Sequence, residues 1–276
     1  MKEYIKEKLR KGIIQTPFKI KESYFPNNNQ LLESIKTEIA DKGINRNYII
    51  SKFKAGLEKK DNDGFAKGII ATLMWGAYIE VLRQQGKSTY ENLLAQDLNT
   101  FGKNIHKLLI GEDGTKNAYD SLLNGENKIK YIGEAYFTKF LFFIAKAHNE
   151  IHAKNKIAPL PLIYDKWANN FYYALLLEYK PLQLDRMGIV ISEYSFKDDV
   201  LNKVQIIPKK REHFEYYMNY IDDIAEWSKN FEVESDKLEE ILFGEEIKKG
   251  NKNHNPRFYV MNFVFDKKFK KTIYKP

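Results

Sequence analysis

The stretch IGEAYFTKFLFFIAKAH, residues 132–148, reads as a helix that is apolar on nearly every face, with Lys139 in its middle. A lysine ammonium is almost never fully buried without a partner or a purpose. An amine taken into apolar surroundings favours its neutral, nucleophilic form, which makes Lys139 a candidate nucleophile. The bland alternatives are a buried ion pair and a side chain that snorkels to the surface. Downstream, PLPLIYDKWANNF sets Asp165 at a helix start, just after prolines. A carboxylate there caps the helix by accepting from its first amides. His148 and His152 stand at i, i+4 with Glu150 between them. Such a pair could hold a metal, but the H-E-x-x-H order is absent, and Asn149 and Lys154 mark an exposed helix end. No metal and no cofactor are expected.

These side chains need elements to hold them. LLNGENKIKYIGEAYFTKFLFF has the outline of a helix–hairpin–helix: one helix ends near Leu123, a short turn carries Lys130 to Gly133, and a second helix begins at Glu134. Gly133 would let the backbone approach a phosphate closely, and the second helix points its N-terminal amides outward. Gly133 and Lys130 are therefore the candidate DNA-binding residues. Around this hairpin the apolar spacing predicts helices over residues 29–41, 64–86, 90–97, 99–109, 116–124, 165–179, 211–230 and 235–242. Ser51 is read as the cap of a segment containing Phe53 and Leu57. RFYVMNFVF, near the C-terminus, is the best strand candidate, and Gly188–Ser192 a weaker one. Trp75 and Trp167 fit the core, with base stacking as the alternative. Tyr216, Tyr217 and Tyr220 fit the core or a groove.

Composition narrows the function. In 276 residues, 43% hydrophobic and 14% aromatic, there is enough apolar side chain for a full core. The absence of cysteine excludes disulfides, thiolate metal sites and a cysteine nucleophile. No G-x-G-x-x-G, P-loop or G-x-S-x-G motif is present, which argues against dinucleotide binding, P-loop nucleotide binding and a serine elbow. The net charge of +8 is uneven: residues 249–276 carry +7, residues 1–22 carry +4, and the middle carries −3. Cations gathered at the chain ends are the footprint of a phosphate-binding surface, or else a solvated lysine-rich tail. The charged start, MKEYIKEKLRKG, has no apolar run behind it, and no window approaches the roughly 18 apolar residues of a membrane span. A cytoplasmic protein with no membrane partner is expected.

The hairpin, the proline-rich turn and the aspartate after it together resemble the helix–hairpin–helix DNA glycosylase superfamily. The chain is most similar to the bacterial 8-oxoguanine-glycosylase-like (OGG-like) proteins of antiphage defence gene clusters. The residues that carry the likeness are MWG (74–76), YIGEAYFTKFLFF (131–143), PLIYDKWANNF (161–171), YMNYIDDIAEW (217–227) and DKLEEILF (236–243), spanning about 70 to 245.

The resemblance implies a mainly α, two-lobed glycosylase-like fold with a few short strands near the C-terminus. It would form one compact unit over 1–276, with its core at 70–245 and a basic segment at 249–276. It also implies a flipped nucleotide whose N-glycosidic bond is cleaved. Asp165 matches the aspartate that stabilises the cationic sugar. In bifunctional members a lysine amine attacks C1′ and forms a Schiff base. The usual position of that lysine is Ala135 here. Lys139 lies four residues on, one turn deeper on the same helix face, where relatives line the base pocket. Lys139 is thus a relocated nucleophile or a base contact, and Ala135, Trp75 and Trp167 are candidate pocket residues. The expected activity is a DNA N-glycosylase, with or without lyase activity, acting on a modified purine in antiphage defence. Its partners would be duplex DNA or a modified nucleobase, and defence-system proteins. The alternative is a module that kept the fold, lost catalysis, and binds a modified nucleobase, nucleic acid or a partner protein.

Overall fold

Apolar residues recur at helical spacing through most of the chain, and packing turns that spacing into helices. The computed structural model describes residues 2–12, 17, 29–39, 42–76, 93–94, 96–130, 132–180, 182–183, 189–197, 200–208, 213–243, 263 and 266. Among the described residues the order is α1 (Lys2–Lys11), α2 (Gln30–Ile39), α3 (Arg46–Leu57), α4 (Gly64–Trp75), α5 (Leu98–Leu109), α6 (Gly114–Leu123), α7 (Glu134–Ile151) and α8 (Lys166–Tyr179). A hairpin of β1 (Ile189–Lys197) and β2 (Val200–Pro208) follows, then α9 (His213–Asn230) and α10 (Ser235–Phe243). The fold is mainly helical, as the sequence predicts, and the chain divides into two compact units: residues 16–163, and residues 1–15 with 164–276.

The unit of residues 16–163 is organised around α7, which packs against α3, α4, α5 and α6. Phe137, Phe140, Leu141, Phe143 and Ile144 of α7 are buried, as are Phe53 of α3, Ile69 and Leu73 of α4, Phe101 and Ile105 of α5, and Tyr119 of α6. Two aromatic contacts show the fit: Phe101 meets Phe140 edge-on at 6.0 Å, and Tyr119 meets Phe137 at 5.0 Å. Helices α3 and α4 come so close that a Cβ on Gly64 would lie 2.4 Å from the Gly56 nitrogen. Salt bridges hold α2 against this pair: Glu38 binds Lys52 and Lys67, and Lys67 also reaches Asp61 at 2.8 Å.

In the other unit α8, α9 and α10 form the core, with α1 against α10. Phe171, Tyr172 and Tyr173 of α8 and Tyr217, Tyr220 and Ile224 of α9 are buried. Their hydroxyls need partners. Tyr172 donates to Asp223 at 2.8 Å, Lys180 donates to the same carboxylate at 2.6 Å, and Gln183 adds a bond at 3.2 Å. Burial and the neighbouring Asp223 charge push the Tyr172 phenol far above its ordinary range. Strands β1 and β2 are antiparallel, pairing Ile189 with Pro208 and Lys197 with Val200, with two register irregularities.

Several boundaries differ from the sequence expectation. Helix α3 starts at Arg46, capped by the Asn45 side chain, which accepts from Tyr48 N at 2.8 Å. Ser51, expected as the cap, lies inside that helix and donates to the Tyr48 carbonyl at 2.6 Å. The weaker strand candidate, Gly188–Ser192, falls on β1, whereas β2 was not anticipated. The far half of the expected helix 64–86, half of the expected helix 90–97, most of the RFYVMNFVF strand and most of the basic segment 249–276 lie outside the described residues. Among the described residues no helix is long and apolar enough to cross a membrane.

Candidate functional site

The hairpin between α6 and α7 has the expected outline. Helix α6 ends at Leu123, and the chain turns through Gly125, where Lys128 N donates to the Gly125 carbonyl at 3.2 Å. It turns again between Ile129 and Ile132 (3.1 Å) and enters α7 with Gly133 as its N-cap. Ile129 and Ile132 are buried and anchor the loop, while Lys130 and Gly133 are exposed. Gly133 has extended backbone, φ −89° and ψ −179°, so it needs no glycine for conformation. Its contribution is space: a Cβ built there meets nothing within 4 Å. The first residue of α7, Glu134, accepts a hydrogen bond from the Tyr119 hydroxyl. A carboxylate suits a helix N-terminus, but it also opposes an incoming phosphate.

On α7, Lys139 is buried, with 3% exposure. Its side chain runs back along the helix, as long helical side chains do, and Nζ donates to the Ala135 carbonyl at 2.7 Å. The Tyr136 ring lies 5.4 Å from Nζ. The amine of Lys139 is therefore held against the Ala135 carbonyl, which points along the helix toward residue 139. Ala135 itself is half-buried.

The half-buried Trp75 closes α4. Phe143 meets its ring edge-on at 5.6 Å. The Arg46 guanidinium lies 5.4 Å from the Trp75 ring and 5.2 Å from Phe142. The next residue, Gly76, packs so that an added Cβ would lie 3.2 Å from the Tyr136 ring. The end of α4 thus joins two cations and four aromatic rings along one side of α7. Arg46 and Tyr136 were missed in the sequence. Arg46 opens a helix with little amphipathic pattern, and Tyr136 looks like any core aromatic.

In the other unit Asp165 caps α8. Its Oδ1 accepts from Trp167 N at 3.0 Å and Ala168 N at 3.2 Å, and its exposure is 9%. Trp167 is half-buried, with Lys166 Nζ 5.2 Å from its ring. Lys139, Trp75, Ala135, Lys130 and Gly133 all belong to residues 16–163, and Asp165 and Trp167 to the other unit.

Of the two histidines, His152 caps the exposed end of α7 as expected, and His148 differs. His148 is buried, not part of an exposed helix end, and bonds His106 of α5. Among the described residues no group of three or more His, Cys, Asp or Glu side chains is placed to hold a metal ion.

Residues 21–243 match the model of the family described as "Putative 8-oxoguanine DNA glycosylase OGG-like protein". The chain belongs to that family. No curated protein and no solved structure matches it. The match spans the hairpin, Lys139 and Asp165, and the chain is accordingly a DNA glycosylase-like protein with a helical fold.

Proposed function

We propose that this OGG-like protein is a DNA N-glycosylase with associated lyase activity. It would act on a flipped, modified purine, with Lys139 as nucleophile and Asp165 as the carboxylate that stabilises the cationic sugar. The observation that carries the reading is the course of the Lys139 side chain, whose amine ends 2.7 Å from the Ala135 carbonyl. Lys139 and Ala135 share one face of α7, and this bond keeps the amine on that face, beside the turn where the resemblance implies the nucleophile.

In the reaction the Nζ lone pair attacks C1′, and the glycosidic electrons leave with the base. Opening of the sugar then gives an imine that borohydride reduces to a stable amine. Asp165, fixed by two backbone amides, presents a carboxylate whose orientation is set before substrate arrives. Lys130 and the open backbone at Gly133 would take the DNA phosphates. Ala135, Trp75 and Trp167 would border the base. Antiphage defence in a bacterial cytoplasm, with partners from the same defence system, is the proposed setting.

The experiment is borohydride trapping on duplexes carrying modified purines or an abasic site. The wild-type protein should form a covalent adduct, and Lys139→Gln should not. An adduct that persists in the variant would refute the nucleophile assignment.

A second reading rests on Ala135 and Glu134. With no lysine at the usual position and a carboxylate at the α7 N-terminus, the chain would be a module that binds a modified nucleobase, nucleic acid or a partner protein without turnover. Tight binding with neither base release nor adduct over a broad substrate panel would favour it.

A further inference from the structure

Between α7 and Asp165 the chain passes through a connector, residues 152–164, whose first five residues, HAKNK, are exposed and whose later residues Ile157 and Leu162 to Tyr164 are buried. Here it is bound back to the end of α7 at two points. The Asn149 side chain acts as a surrogate backbone: its Nδ2 donates to the Ile157 carbonyl at 3.0 Å, and its Oδ1 accepts from Ile157 N at 2.7 Å. His148 Nε2 lies 2.9 Å from the Asn155 carbonyl, and His148 Nδ1 lies 3.0 Å from His106 Nε2.

The chemistry of these partners fixes the protons. A carbonyl only accepts, so His148 Nε2 carries hydrogen. In the neutral pair His148 Nδ1 must then accept from His106 Nε2–H. The bond between the rings accommodates one extra proton, because one ring can still donate to the other. A second proton sets N–H against N–H, with His152 stacked 4.5 Å from His148 as a third potential cation.

The surroundings give little relief. Phe65 of α4 faces His106 at 6.4 Å. Lys67 of α4 is committed to Glu38 and Asp61, and Lys54 of α3 pairs with Glu150 at 3.2 Å. Lys103 and Lys107 of α5, Lys116 and Asp120 of α6, Glu112 and Asp113 of the turn before it, and Lys154 and Lys156 of the connector are exposed; Lys146 of α7 is half-buried. Of the ionisable groups, His148 and His152 are the charges that act on His106. Burial first, then these two imidazoles, hold His106 down at about 4.

We infer that His106, His148 and Asn149 are positioning residues: they latch the connector that leads to Asp165 onto the end of α7, and the latch opens when both paired imidazoles are protonated. Its consequence for catalysis rests on the reading proposed above; the latch itself does not.

Hydrogen–deuterium exchange of the full-length protein tests it. After correction for intrinsic rates, amides 153–158 should exchange about tenfold or more faster at pH 4.5 than at pH 7, while amides 140–147 in the core of α7 stay protected. Asn149→Ala should expose 153–158 at pH 7. His106→Gln, whose amide still donates to His148 but does not titrate, should keep them protected at pH 4.5. Loss of protection in 140–147 together with 153–158 would mean general unfolding and overturn the latch. So would a connector indifferent to pH, or full protection in Asn149→Ala. If the wild type also releases base, Asn149→Ala should lower kcat and leave KM unchanged. An inert wild type with the exchange pattern intact would refute the enzymatic reading and leave the latch standing.

Discussion

Asp165 does two jobs that ordinary mutagenesis would confound. Its Oδ1 caps α8 through two amides, and its charge is the proposed stabiliser of the sugar cation. Asparagine caps a helix as well as aspartate. Asp165→Asn should therefore melt within about 0.5 kcal/mol of wild type yet lose base release by about a hundredfold or more. Asp165→Ala should lose the same activity and about 1 kcal/mol besides. Thermal melts and a base-release assay on both variants separate the roles; equal activity of Asp165→Asn and wild type would leave capping as the whole function. The cap was legible because proline, aspartate and an apolar run form a local signal. The surroundings of Lys139 were legible only in part. Its burial follows from the flanking phenylalanines, but its bond to Ala135 depends on side-chain direction, and its ring contact on where Tyr136 points.

At the scale of elements, α7 and the hairpin before it were readable in advance, because a long apolar helix and a glycine-marked turn are local features. Strand β2 was not, since a strand is stabilised by its cross-strand partners, and its own residues do not alternate cleanly. The start of α3 was missed for a related reason: Asn45 caps it, but the residues after it carry a weak helical pattern. The His106–His148 bond joins residues 42 apart, a pairing that only packing reveals. Glu134 was visible as a letter but not as the partner of Tyr119. If the α7 N-terminus receives a phosphate, Glu134→Gln should strengthen DNA binding about two- to fivefold at low salt, the size of a helix-end charge effect. Titrations at two ionic strengths would show it; unchanged affinity would mean that the phosphate docks elsewhere.

Over the whole molecule, two electrostatic features make further predictions. His106 is held at about 4 in the folded protein, below its ordinary 6.5. The unfolded chain therefore binds the proton first, and stability contributed by the neutral ring is lost as pH falls from about 6.5 to about 4. Discounted for partial exposure, the loss should be about 1–2 kcal/mol in denaturant melts, and His106→Gln should flatten it. The basic segment 249–276, with its net charge of +7, should raise nucleic acid affinity in a salt-dependent way. Its removal should lower the salt slope by about 0.9 for each phosphate that the segment neutralises, whereas an unchanged slope would mark it as a solubilising tail. The helical class and the family likeness were legible in the sequence. The division into two units was harder to see, because one of them joins the first residues to the last third of the chain. Attack of Lys139 on a flipped nucleotide is tested most directly by borohydride trapping of the full-length protein on a duplex with a modified purine. A covalent adduct whose cross-linked peptide carries Lys139 and which disappears in Lys139→Gln is expected; an adduct mapped to another amine, or none on any such duplex, would rule this chemistry out.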